Sequence, residues 1–234
     1  MSNSNGKFSF AVVFGGSKSP AMVPVSIVPR SFKLPDPAGR AGGACTSTLL
    51  NILYKDETVP EDDLSFTQVL TQMRENLKSK GFTQIPQLTS ANPIDVNTDF
   101  DLVPKSATGT KRAVMIGINY VGHDPGELRG CHNDVLNMKK YIMNVHGFEE
   151  DNIHVLMDDG NHEEPTMANM VAAYKKIVAE SESGGTSFVL VEFVSIYSIE
   201  VVFLFLSYFL EDFISFWFVC ILRTFCFTLF AFQL

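Results

Sequence analysis

The segment GELRGCHNDV, Gly126 to Val135, brings a thiol (Cys131), an imidazole (His132) and a carboxylate (Asp134) within four residues. Thiol and imidazole together could form a nucleophilic dyad, in which the ring takes the proton and the thiolate attacks. Their adjacency argues against it. A dyad needs ring nitrogen and sulfur about 3 Å apart in one cavity. Neighbouring side chains at a helix start diverge by about 100°, and on a strand they face opposite sides. Cys131 is therefore expected as a small buried residue under a loop. Asp134 reads as a helix cap, which is compatible with a ligand role only if a carboxylate oxygen still faces a cleft. Cys220 and Cys226, in FVCIL and TFCFT, sit in apolar surroundings that keep a thiol protonated.

Other polar groups offer less. His123 and Asp124 form a polar pair on a loop, expected at the surface. His146, His154 and His162 lack zinc-ligand spacing. MDDGNHEE, Met157 to Glu164, lacks the alternating ligands and closing glutamate of a calcium loop. SNSNGK and GRAGG do not match a phosphate-binding loop. No metal ligand set is assigned.

The elements that would position these groups fall into two units. In the first, KFSFAVVF (Lys7 to Phe14) reads as a strand stopped by GGS, and a Pro- and Gly-rich loop follows. Ala44 to Tyr54 has a helical apolar face. Ser65 caps a second helix, Phe66 to Lys80, whose stripe is Val69, Leu70, Met73 and Leu77, with Gly81 as the stop. Extended segments and turns continue to Pro104, and Lys105 to Thr110 reads as a linker.

The second unit opens on Arg112 to Tyr120, an apolar run typical of a strand buried on both faces. After a long loop, Asn133 or Asp134 is expected to cap a helix running through Asn144, and Gly147 ends it. Asn152 to Asp159 reads as another strand, and Thr166 caps a helix to about Glu180. Strand, helix, strand, helix implies parallel strands with right-handed crossovers. In such sheets the working rim lies beyond the strand carboxyl ends, which places the loop from Tyr120 to Cys131 there.

Composition changes abruptly near residue 186. The chain carries a net charge of −8, and from Ser187 onward it has one basic and four acidic residues. Neither part supports a nucleic-acid surface. Four scattered cysteines suit a reducing compartment, and the amino terminus shows no secretory pattern, so a cytoplasmic location is expected. The last segment, 187–234, holds more than half of the twenty phenylalanines. Glu192, Glu200, Glu211, Asp212 and Arg223 interrupt it, so a spanning helix would carry charge in mid-bilayer; a membrane anchor is possible but not favoured. A sheet extension is a second reading. The preferred one is translated non-coding sequence, because Phe, Leu, Ser, Val, Ile, Tyr and Cys all have thymine-rich codons.

KRAVMIGINY, LRGC-ND, FEEDNIHVLMDD and PTMANM together resemble the opening half of the large subunit of metacaspases, caspase-like cysteine peptidases, over about Lys111 to Glu182. GRAGGACTSTLLNIL and PQLTS in the first unit look like the metacaspase small subunit, so the order is similar to that of type III metacaspases. The resemblance implies an α/β, caspase-like sandwich with a mostly parallel sheet, incomplete here. Its parts would be a small-subunit-like region (1–104), a linker (105–110), the amino-terminal half of a large subunit (111–186) and the apolar tail (187–234). It implies a cysteine endopeptidase that cleaves basic peptide or protein substrates after Arg or Lys and acts in programmed cell death. Cys131 and Asp134 would then lie beside the pocket for the basic side chain. An aspartate there suits Arg bidentately or Lys as a point charge. The family's catalytic runs H-Y-S-G-H-G and D-S-C-H-S-G are not found in these 234 residues, so no catalytic residue is assigned and an inactive fragment is expected. The alternatives are a non-catalytic peptide-binding pseudo-enzyme and a tail-anchored membrane protein. Calcium is implied for the full-length family only, through ligands outside this chain; no cofactor is assigned to the chain itself.

Overall fold

A computed structural model describes residues 9–15, 43–60, 63–82, 85–90, 95–103, 105, 107–123, 127–182, 184–192 and 226–233, with backbone only for the first and last of these. The expectations for the 16–42 loop, for Asp124 and for most of the apolar tail lie outside these residues. In chain order the elements are β1 (Ser9–Gly15), α1 (Ala44–Leu53), α2 (Phe66–Ser79), β2 (Ile85–Ser90), β3 (Lys111–Gly117), α3 (Cys131–His146), β4 (Ile153–Met157), α4 (Met167–Glu180), β5 (Thr186–Glu192) and β6 (Cys226–Gln233).

The six strands form one sheet in the order β2-β1-β6-β5-β3-β4. β3 lies parallel to both β4 and β5. The other pairings, β5 with β6, β6 with β1 and β1 with β2, are antiparallel. The expected mostly parallel sheet is therefore corrected: parallel pairing is confined to β4, β3 and β5, where helical crossovers return the chain to the same end of the strands. β5 begins at Thr186, where the composition changes, and β6 comes from the Phe-rich segment.

Burial explains why β3 reads as a continuous apolar run. Ala113 and Met115 face the larger core with Val135, Met138 and Ile142 of α3. Val114 and Ile116 face the opposite side, against Ala173 and Ile177 of α4. Successive strand residues point to opposite faces, so a strand covered by helices on both sides is apolar at every position. The larger core extends into the first unit through Leu49 and Ile52 of α1 and Val69, Met73 and Leu77 of α2. The helix boundaries follow local chemistry. Ser65 and Gln68 form a reciprocal capping box at the start of α2, Thr166 caps α4, and Gly147 closes α3 in the left-handed conformation (φ 65°).

Candidate functional site

The carboxyl ends of β3, β4 and β5 and the amino end of α3 meet at one rim. β3 approaches α3 so closely that a Cβ on Gly117 would stand 3.1 Å from the Cys131 carbonyl oxygen. α3 begins at Cys131, two residues before the earlier expected cap, and neither Asn133 nor Asp134 caps it. Gly130 holds the cap position without a side-chain bond. The missing acceptor comes from the rim loop: Asn119 Oδ1 accepts from the Cys131 backbone N–H at 3.0 Å. Asn119 is itself buried, and its carbonyl accepts from the Leu128 N–H at 2.6 Å. A remote asparagine thus satisfies one of the orphan donors of the first turn.

With its capping role gone, the Asp134 side chain reaches across to the first unit. Oδ2 accepts from the Gly43 backbone N–H at 2.6 Å, and only 1% of the residue is exposed. A Cβ on Gly43 would stand 2.4 Å from that oxygen, so only glycine permits this approach. A second carboxylate lies close by. Glu192, the last residue of β5 and 5% exposed, accepts from Thr46 Oγ1 at 2.6 Å. Burial pushes the Asp134 carboxyl well above the usual range, against the pull of the Gly43 N–H. Burial and then the neighbouring Asp134 do the same to Glu192. Two such groups in dry surroundings do not both ionise.

Cys131 is 8% exposed. Burial, followed by the negative fields of Glu192, Asp134 and Asp158, drives its thiol far up. Cys45 in α1 is raised for the same leading reason. Neither thiol is an activated nucleophile in this arrangement. His132 turns away from the adjacent sulfur, its Nε2 meeting Asp158 Oδ1 at 2.6 Å. Asp158, just beyond β4, also accepts from the backbone N–H groups of Asn119 (2.8 Å) and Val121 (3.1 Å). Burial raises its carboxyl, but the bonds from Asn119, His132 and Val121 outweigh that and hold it low.

Of the two substrate-binding candidates, both sit at this rim and both are covered. Gly43, Thr46, Asn119, Asp158 and Glu192 were not anticipated. Asn119 alone carried a signal, being the first polar residue after an apolar strand. Glu192 looked only like an interruption in an apolar run. The remaining polar groups pair locally: His154 Nε2 with Glu163 Oε2 at 2.7 Å, and His162 Nδ1 with Asp159 Oδ2 at 2.9 Å. Among the described residues, no group of three or more His, Cys, Asp or Glu side chains could hold a metal ion.

Comparison with known proteins bears on this rim. Residues 111–192 match the family described as metacaspase, peptidase C14 domain. Metacaspase III c of Phaeodactylum tricornutum is 68% identical over 158 residues, which cover 68% of this chain and 47% of that protein. Metacaspase-1 of Saccharomyces cerevisiae is 37% identical over 93 residues, 39% of this chain and 21% of that one. Metacaspase-4 of Arabidopsis thaliana is 47% identical over 76 residues, 32% of this chain and 18% of that one. The chain spans less than half the length of each of these relatives.

Proposed function

We propose, from the match of residues 111–192 to the metacaspase, peptidase C14 domain, that this chain supplies one wall of a cysteine endopeptidase pocket for Arg or Lys. Asp134 is the receptor carboxylate and Cys131 lines the wall beside it. The observation that carries the reading is the Asp134 side chain: it leaves its own helix and spans to the first unit at the carboxyl-end rim of the parallel strands. A carboxylate there attracts a cationic side chain and repels an acidic one. The alignment with the Phaeodactylum tricornutum protein, at 158 residues, is longer than the family-matched segment. That supports reading the first unit, with the GGACT turn that contacts Asp134, as the small-subunit side of the same site. A reducing cytoplasmic setting accords with buried Cys45 and Cys131 held outside any disulfide; no described helix is long and apolar enough to cross a membrane.

Chemistry beyond binding needs a nucleophile and a base. Cys131 and Cys45 are held protonated by burial, and His132 is engaged with Asp158. The 234-residue polypeptide is accordingly a binding component that does not turn over peptides alone. The test is a peptidase assay on Arg- and Lys-containing peptides. No turnover is expected, and turnover abolished by Cys131→Ala, Cys220→Ala or Cys226→Ala would sink the reading. Capture of a basic peptide, lost with Asp134→Ala, is the positive counterpart.

A further inference from the structure

One short piece of chain holds both buried carboxylates at the rim. The Gly43 N–H donates to Asp134 and the Thr46 hydroxyl donates to Glu192, each at 2.6 Å. These donors lie at the start of α1, and Thr46 is fully buried. Resting on Asp134 as a pocket carboxylate, we propose that the first turn of α1, Gly43 to Thr46, is an autoinhibitory plug that must withdraw before a cationic side chain reaches Asp134 and Glu192.

The geometry supports this in three ways. First, the plug supplies neutral donors where a guanidinium would supply charged ones, so ligand and plug compete for the same oxygens. Second, no ion pair within the described residues involves either carboxylate. Besides each other, the ionisable groups facing them among the described residues are Cys45 on α1 and Cys131 on α3, neither of them cationic. With no cation beside them among the described residues, the two carboxyl groups are satisfied while closed by staying partly protonated, and an entering cation would release a proton. Third, the close approach depends on Gly43 having no side chain. Its φ of −71° is open to alanine, so Gly43→Ala acts as a wedge between the turn and Asp134.

The experiment titrates the full chain with agmatine, a small guanidinium probe, by isothermal calorimetry in buffers of differing ionisation enthalpy. Thermal melts serve as the folding control. Gly43→Ala should bind about ten-fold or more tightly than the unaltered chain, because the closed population no longer reduces apparent affinity. Proton release on binding should accompany it. Adding Asp134→Asn should abolish the gain. A folded Gly43→Ala chain with unchanged or weaker affinity overturns the plug; Asp134→Asn in the unaltered chain, measured alongside, then reports separately on the pocket. Binding that survives Asp134→Asn overturns the pocket reading and the plug with it. Should Gly43→Ala lose its cooperative melt, Thr46→Val decides by the same criteria, since it removes one donor and leaves the backbone of the turn intact.

Discussion

Asp134 shows what a single side chain does when its local role is taken by another group. Its carboxylate is released from capping α3 and instead joins the two units of the chain. Asp134→Ala leaves the Gly43 N–H facing a buried gap, and an orphaned buried donor costs about 1–3 kcal/mol; urea midpoints should fall accordingly. The titration behaviour has two opposite signs. Asp134 and Glu192 have raised carboxyl pKa values. Their contribution to stability is therefore present below the unfolded carboxylate range and lost as pH rises through the raised values. Asp158 and Asp159 are lowered, Asp159 to about 2; in both, burial opposes the shift and hydrogen bonds prevail. Their contribution is present above the unfolded range and lost as pH falls through the lowered values. Denaturation midpoints measured from acid to mildly alkaline pH should show Asp134→Asn flattening the alkaline decline and Asp158→Asn flattening the acid one. The reverse assignment would refute this account.

At the scale of elements, helix ends separate what sequence reveals from what it hides. The α2 start was legible because Ser65 and Gln68 satisfy each other's backbone groups three residues apart. Ser65→Ala should cost about 1 kcal/mol in a denaturant titration. The α3 start was misplaced because its acceptor, Asn119, lies twelve residues away on another element. Asn119→Leu should destabilise by about 1–3 kcal/mol, through the unpaired Cys131 N–H. Amide exchange at Cys131 and its neighbours in the first turn of α3 should accelerate most. Protection there equal to that of the unaltered chain would show that the remote cap is dispensable. The same bond explains why Cys131 faces inward, since it fixes the first turn directly beneath the loop.

For the whole molecule, the sheet sets the terms. β6 pairs with β5 from Thr186↔Gln233 to Glu192↔Phe227, and with β1 from Ser9↔Phe232 to Gly15↔Cys226. A strand bonded on both sides uses the N–H of nearly every residue, so Thr228→Pro should lower the melting temperature markedly; an unchanged melt would show that this strand contributes nothing. The amino-acid sequence alone determined the buried strand β3, the amphipathic helices and their glycine and serine boundaries, because those depend on periodicity and on groups a few residues apart. The family resemblance was legible for the same reason: it rests on short contiguous runs. Only the tertiary structure decided that the sheet is half antiparallel, that Asn119 caps α3, and that Asp134 and Glu192 share one turn of α1. Each of these is a pairing across long stretches of chain, set by which donor burial brings to which acceptor, and local pattern carries no record of that choice.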